Sequence, residues 1–394
     1  MLDFARQFHG LREEILRAIE TVCDSQSFIL GPAVNEFENA AARACAVPYA
    51  LGCSSGTEAL WLALAACGIG DSAGAIRSEE HGLVLTTPFT FFATASSILR
   101  AGAKPVFCDI DPRTFNMSPA AVEDLVRTPQ SGVLRAILVV HLYGQCADMD
   151  ALTQLRDEFP ELVLIEDAAQ AFGAVWTSAD RQSRPAGSMG DAAAFSFYPT
   201  KNLSAFGDAG LVTTNQETIA TRLRSLRAHG MTRRYYHDEV GWNSRMDAIQ
   251  AAVLSVKLKY LPAWNQRRRE LAARYDELFR QAGIAAPAAS TSPAEGVVLP
   301  WTDPRATHVF HQYVIRAERR DALREHLSSL GIASEVYYPV PLHLQEALRE
   351  FGYKAGDFPE TERAAAEVLA LPIFPELRDD EQQSVVAAIR DFYR

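Results

Sequence analysis

The sequence lacks most marks of the simpler protein classes. Its six cysteines (Cys23, Cys45, Cys53, Cys67, Cys108 and Cys146) form no CxxC pair and show no metal-ligand spacing, so reduced thiols and no metal are expected. Cys53 stands beside a candidate site, but nothing near it marks it as a nucleophile. No apolar run is long enough to cross a bilayer, since ALWLALAACGIG is short and interrupted by glycines. The stretch MLDFARQFHGLREEI has no basic segment leading into an apolar one, so no secretory signal and a cytoplasmic location are expected. Basic charge is not in excess: 38 Lys and Arg against 49 Asp and Glu leave a net charge of -11. Nonspecific nucleic-acid binding needs a basic field and is therefore disfavoured, whereas a small anionic substrate is compatible. A dinucleotide fingerprint is missing too. GCSSGT is not GxGxxG, and GIGDSAG does not follow a strand, which argues against a nicotinamide oxidoreductase. There is no internal repeat.

What is there is enough apolar material for two cores, with 48% hydrophobic residues in 394. From about Tyr49 to Thr214, apolar runs (LVLTTPF, PVFCDI, RAILVVHLYG, ELVLIEDAA) alternate with helix-like segments (TEALWLALAAC, TASSILRAG, SPAAVEDLVR, DMDALTQLRDEF). Strand then helix, repeated, predicts an α/β fold with a mainly parallel sheet covered on both faces. Ser118 is placed to cap the helix that opens with Pro119. A long helical pattern from about Arg245 to Phe279 is expected to bend at Pro262. Beyond it, HVFHQYVIRA and ASEVYYPV read as strands, and DALREHLSSLG, ETERAAAEVLAL and EQQSVVAAIRDF as helices. The expected division is a large domain over 1–255 and a smaller α+β domain over 256–394, with LREEILRAIETV as a separate amphipathic helix packed near one of them, the smaller one included.

Ligands of open α/β sheets sit beyond the carboxyl ends of strands. Four exits carry chemistry. GCSSGTEAL opens a helix with Gly56 and a hydroxyl from Ser55 or Thr57, an anion cradle or simply a cap and turn. IEDAAQAFGA ends a strand on Asp167, a carboxylate that needs a donor or cation, or a cap for the next turn. TTPFTFFATA offers Phe91 as a flat platform, although core packing is the commoner fate of a phenylalanine. FSFYPTKNLSAFGDAG places Lys201 at the lip of a strand pair, as a snorkelling surface residue or as an amine whose charge can be removed. Together these groups suit one cofactor, pyridoxal 5'-phosphate: an amine for its aldehyde, an acid for its ring nitrogen, and donors for its phosphate.

The order GCSSGTEAL, PFTFFATA, HLYGQCADMD, EDAAQAFGA, SFYPTKNLSAFGDAG, GWNSRMDAIQAA and YYPVPLHLQ resembles the DegT/DnrJ/StrS family of sugar-nucleotide aminotransferases over nearly the whole chain. The resemblance implies the aspartate-aminotransferase-like fold (PLP fold type I) and a homodimer with shared sites. It implies Lys201 as the Schiff-base lysine and proton shuttle, Asp167 on the pyridine nitrogen, and Gln170 near the phenolic oxygen. Gly56, Thr57 and Ser196 would hold the phosphate and Phe91 would stack on the ring. Asn243 would reach the phosphate of the neighbouring subunit, while Tyr338 and His343 would line the substrate side. Relatives that have become dehydratases carry histidine in place of the lysine, so that branch is disfavoured. The stretch DSAGAIRSEEHG is longer than the usual turn and reads as a surface loop.

The resemblance thus implies amino transfer from an amino acid, L-glutamate first, to a keto sugar carried on a nucleotide. KNLSAFGDAG resembles the loop of members that aminate C3, which favours a dTDP-3-keto-6-deoxyhexose; a 4-keto sugar is the alternative, since members acting on C4 tend to end this loop in GEGG. A non-catalytic regulator on the same fold is the rival from another class. Arg233 and Arg234 could meet a sugar diphosphate, although a solvated basic turn explains the pair as well.

Overall fold

The fold was described from a computed structural model, of which residues 2–70, 82–130, 132–287 and 290–394 are described. Most of the expected surface loop DSAGAIRSEEHG, residues 71–81, lies outside the described residues. Seven strands form the main sheet in the order Tyr49–Cys53, Gly210–Thr214, Ala192–Ser196, Val163–Asp167, Leu134–Val140, Leu83–Thr86 and Lys104–Phe107. All neighbours are parallel except Gly210–Thr214, which runs antiparallel to both strands beside it. Helices cover both faces, which is why the central strands are apolar throughout rather than alternating. On one face the buried helix Gly56–Ala66 packs on Val84, Leu138, Ile165 and Val212; on the other Phe37, Leu164, Phe195 and Leu211 share a core with Ala248–Leu258. Ser118 caps its helix as expected, its hydroxyl accepting from the Ala121 N–H at 3.5 Å behind Pro119.

The expected long helix is two helices, Ala248–Leu258 and Leu261–Gln281, broken at Lys259 and Tyr260. Pro262 does not bend a helix; it stands in the first turn of the second one, where its missing N–H has no helical partner to lose. The expected domain boundary at 255 therefore falls inside the first of these helices. Two readings of the last third need correction. ASEVYYPV forms no strand beyond a single bridge between Glu335 and Ala370, because Pro339 and Pro341 have no N–H to extend a ladder. ETERAAAEVLAL is helical only to Glu367, and Val368–Leu371 pairs antiparallel with Tyr313–Arg316, burying all eight residues. Burial and pairing here override helical periodicity.

The first helix, Phe4–Ser25, is capped by Asp3, which accepts from the Ala5 and Arg6 N–H groups at 3.1 Å each. Its Leu11 and Ile15 pack on Val253 and Val256, and Arg6 pairs with Glu381 of the C-terminal helix at 2.7 Å. It therefore bridges both parts of the chain rather than serving one. The second core, built from Leu271, Tyr275, Tyr313, Leu369 and Ile389, takes in Phe89, Phe115 and Tyr143 from the main sheet's loops, so it packs directly beneath the strand exits. No helix among the described residues is long and apolar enough to cross a membrane.

Candidate active site

Strand Val163–Asp167 is flanked in parallel on both sides, with Val140 and Ala194 opposite Asp167. This places the carboxylate at the centre of the sheet's carboxyl edge, 4% exposed. One oxygen, Oδ1, accepts from the Ala169 N–H at 3.2 Å, which is the capping bond expected for AAQAF. The other, Oδ2, accepts from the Thr94 hydroxyl at 2.8 Å. Among the described residues no arginine or lysine forms an ion pair with it. Burial pushes the carboxyl above its ordinary range, opposed by the Thr94 and Ala169 bonds and then by the charge of Lys201.

The anion cradle is shaped by two glycines. Gly210 lies between Cys53 and Ser196 in the sheet, and a Cβ there would come within 2.2 Å of the Ser55 carbonyl oxygen, so only glycine lets the 54–56 turn fold over it. Gly56 then meets Ser196 so closely that a Cβ would lie 2.5 Å from the Ser196 Cβ. The Ser55 hydroxyl accepts from the Glu58 N–H at 3.1 Å and is thereby the helix cap, which leaves Thr57 and Ser196 as the hydroxyls of the cradle. The N–H groups of Gly56 and Thr57 find no acceptor among the described residues, as suits an anion at a helix start. Cys53 takes no part: its Sγ contacts the Ser55 carbonyl oxygen at 3.4 Å, and burial raises its thiol to about 12.

Lys201 follows strand Ala192–Ser196 in a tightly held turn. Its N–H donates to the Tyr198 carbonyl at 2.8 Å, and the Ala205 N–H donates to the Phe197 carbonyl at 2.8 Å. The next residue, Asn202, is buried and donates to Asn265 at 2.9 Å and to the Val309 carbonyl at 3.0 Å, with His311 at 3.2 Å on its oxygen. The lysine side chain is half-buried and its amine has no hydrogen-bond partner among the described residues. Burial draws the amine down to about 8, against the attraction of Asp167. Lys201 is thus not an ordinary hydrated surface charge. His311 stays neutral nearby, held well below the ordinary imidazole range by burial, with the charges of Lys201 and Arg268 adding to it.

Across the site a chain of polar and aromatic contacts joins the remaining residues. The Phe91 ring is 58% exposed and lies 6.0 Å, centroid to centroid, from the Tyr338 ring. The Tyr338 hydroxyl accepts from Gln170 Nε2 at 3.2 Å, and Gln170 Oε1 accepts from the Tyr143 N–H at 2.6 Å. Four expected residues do not join this cluster. His343 is buried, with its ring edge on Phe358 and its Nε2 3.0 Å from Glu362. Arg233 and Arg234 sit on an exposed hairpin, each over a tyrosine ring, Tyr236 at 3.7 Å and Tyr235 at 5.1 Å. Asn243 is exposed and accepts from Arg245 Nε at 3.0 Å, one residue from Ser244, whose carbonyl receives the Ser54 N–H. Four residues that sequence reasoning missed hold the site: Thr94, Tyr143, Asn202 and His311. Thr94 alone had a legible signal, a hydroxyl in the first turn of a helix just past a strand exit.

A family model described as the DegT/DnrJ/EryC1/StrS aminotransferase family matches residues 10–390. A pleiotropic regulatory protein of Geobacillus stearothermophilus is 46% identical over 394 residues, which is 100% of this chain and 98% of that one. A UDP-N-acetyl-3-dehydro-alpha-D-glucosamine 3-aminotransferase of Acidithiobacillus ferrooxidans is 39% identical over 99% of this chain and 96% of its own. The solved structure of S. venezuelae DesV in complex with a ketimine intermediate superposes with a TM-score of 0.88 at 39% identity, covering 99% of this chain and 97% of that one. A lysine of lowered basicity, a buried acid and a helix-start cradle on one sheet edge agree with that match over almost the full length, and this chain belongs to the DegT/DnrJ/EryC1/StrS aminotransferase family.

Proposed function

We propose that this chain is a pyridoxal 5'-phosphate-dependent aminotransferase that moves an amino group from an amino acid, L-glutamate first, to a keto group of a nucleotide-linked sugar. The observation that carries the reading is a single sheet edge holding an amine drawn down to about 8, a buried carboxylate without a cationic partner among the described residues, and a helix start with N–H groups to offer. Those residues fit the cofactor. The Gly56 and Thr57 N–H groups and the Ser196 hydroxyl would hold its phosphate, and Asp167 the proton of its ring nitrogen. Phe91 would cover one face of the ring, and Gln170, fixed by the Tyr143 N–H, would lie beside its phenolic oxygen. When bound, the cofactor supplies an aldehyde for a lysine and a ring that withdraws electrons from the bond to be broken. Thr94 orients the Asp167 carboxylate by donating to Oδ2. Lys201 Nζ, being readily neutral, accepts a proton and returns it within one site.

The favoured acceptor is a dTDP-3-keto-6-deoxyhexose. The loop KNLSAFGDAG supports C3, and the relative from A. ferrooxidans, by its name a 3-aminotransferase, supports C3 on a UDP sugar, so UDP-linked 3-keto sugars are the second substrate to assay. Asn243, exposed on this subunit, would complete the neighbour's phosphate site in a homodimer with shared sites, and Tyr338 would face the sugar. The regulatory name of the Geobacillus relative favours a second, non-catalytic reading, against which stand Lys201 and its intact surroundings. The deciding experiment incubates the cofactor-loaded enzyme with L-glutamate and 3-keto or 4-keto sugars on dTDP and UDP, with products read by mass and NMR. Amination at C3 with loss of both activity and visible cofactor absorbance in Lys201→Ala is expected. A Lys201→Ala variant with full turnover, or a wild type that binds the cofactor and aminates nothing, would overturn the reading.

A further inference from the structure

Behind the Lys201 turn, apart from the strand-exit residues, lies a cavity of about 390 Å³. Phe4 and Phe8 of the first helix form one wall, Pro199, Ser204 and Phe206 of the lysine-bearing segment another, and Lys257 of helix Ala248–Leu258 its polar end. Phe8 and Phe206 meet edge to face at 5.8 Å. Lys257 is only 4% exposed, yet its Nζ has one hydrogen-bond partner among the described residues, the Ser204 hydroxyl at 2.9 Å. The Phe206 ring lies 4.7 Å from the same nitrogen. An ammonium group carries three donors, so two are left without a protein acceptor, and no carboxylate among the described residues pairs with it. Burial alone draws this amine down to about 8. A buried cation without a counter-charge is costly unless something anionic completes it.

We infer that this cavity is a binding site for a small monocarboxylate with an apolar body, the carboxylate on Lys257 Nζ and the body among Phe4, Phe8 and Phe206. The volume lies in the range of small-molecule sites, roughly 300–1,000 Å³, and the walls are mainly apolar, with Gln7 and Ser204 as the neutral polar residues and Lys257 as the charged end. The site is distinct from the strand-exit site and does not depend on the reaction proposed above. It shares Pro199, Ser204 and Phe206 with the segment that carries Lys201, so its occupancy restrains that segment.

The test uses the cofactor-loaded protein with phenylacetate and, as uncharged control, phenylacetamide, measured by equilibrium dialysis. Phenylacetate should bind at least tenfold more tightly than the amide, and Lys257→Met should abolish that preference while Lys257→Arg keeps it. Binding should persist in Lys201→Ala, which separates this cavity from the strand-exit site. Hydrogen exchange of the amides from 200 to 206 should slow when phenylacetate is present. Retained visible cofactor absorbance shows that Lys257→Met is folded; if it is not, Phe8→Trp, which fills the cavity with Lys257 intact, should lose phenylacetate. Equal binding of acid and amide, a preference that survives in Lys257→Met, or binding lost with Lys201 would refute the site. So would absence of binding together with dissociation of an oligomer by Phe8→Glu, which would assign the cavity to a second copy of the chain.

Discussion

Replacing Gly56 with alanine should separate cofactor affinity from fold stability. The added Cβ would stand 2.5 Å from Ser196 Cβ, 2.8 Å from its Oγ and 3.1 Å from its Cα. Carbon atoms rest at about 3.5–4.0 Å, so the shortfall is about 1 Å. Rotating the serine moves only Oγ, because Cα and Cβ are fixed by a strand paired with Gly210. The helix start must therefore move. Alanine is favoured over glycine in a helix by about 1 kcal/mol, which offsets much of the strain, so the cofactor-free protein should melt within a few degrees of wild type. The N–H groups of Gly56 and Thr57, displaced by about 1 Å, would leave hydrogen-bond range of a phosphate. Losing one charge-assisted bond, roughly 1.5–3 kcal/mol, weakens cofactor binding about 10- to 150-fold. Titration of the cofactor-free protein with pyridoxal 5'-phosphate, followed by visible absorbance, measures this directly. The double variant Gly56→Ala/Ser196→Gly removes the clashing Cβ and should recover much of the loss despite the missing hydroxyl. Wild-type affinity in Gly56→Ala, or a double variant weaker than either single one, would refute the cradle.

Thr94→Val removes the hydroxyl on Asp167 Oδ2 with little change of shape, and should lower kcat about tenfold or more with KM for the sugar unchanged, as steady-state kinetics would show. Glu166→Gln strikes a different place. Glu166 is fully buried and accepts from the N–H groups of Gly187, Met189 and Gly190 at 2.8, 2.8 and 2.7 Å, and from His141 Nε2 at 2.9 Å, whose Nδ1 in turn accepts from Ala147. An amide turns a donor toward these donors, and urea unfolding should show a loss of about 3 kcal/mol or more. The carboxyl of Glu166 is held below its ordinary 4.5 by its His141 and backbone bonds against burial, so its contribution is present above that pH and lost as pH falls through the folded value; the amide variant should lack that slope. Lys257 has the opposite sense. Its folded value of about 8 lies below the ordinary 10.5, so the unfolded chain binds more protons between the two, and stability should rise with pH across that window by about 3 kcal/mol at most. Lys257→Met should flatten the rise in urea unfolding between pH 8 and 10.5.

The main sheet was legible because its strands are buried on both faces, which leaves uninterrupted runs such as RAILVV and ELVLIE, and because helices between them, such as the one Ser118 caps, begin on recognisable capping residues. The last third was read less well. There VLAL is set into a strand by pairing with Tyr313–Arg316, a partner over fifty residues away, and nothing local distinguishes it from one more helical turn. The same division runs through the site. Asp167 and Lys201 announce themselves because a charge at the end of an apolar strand is costly wherever it occurs. Tyr143, Asn202 and His311 are ordinary residues whose roles exist only in contact, and His343 illustrates the converse: a residue in a legible motif whose ring the fold gives to Phe358 and Glu362.

The two charged groups of the strand-exit site are shifted toward the same outcome. Burial raises the carboxyl of Asp167 and lowers the amine of Lys201, so each is biased toward its neutral form; the Thr94 and Ala169 bonds resist at Asp167, and the mutual attraction of the two groups resists at both. A structural ion pair would be built the other way, with donors and contact distances that favour both charges. A site of this kind favours a guest that brings its own charges. A cationic ring nitrogen would return Asp167 to its ionised state, while an anionic phosphate would satisfy the Gly56 and Thr57 N–H groups. Lys201, which needs no counter-charge when neutral, would then keep the lone pair on which nucleophilic attack depends. In that arrangement Thr94 matters more than its size indicates, because its hydroxyl is the side-chain donor that holds the Asp167 carboxylate in one orientation before the guest arrives.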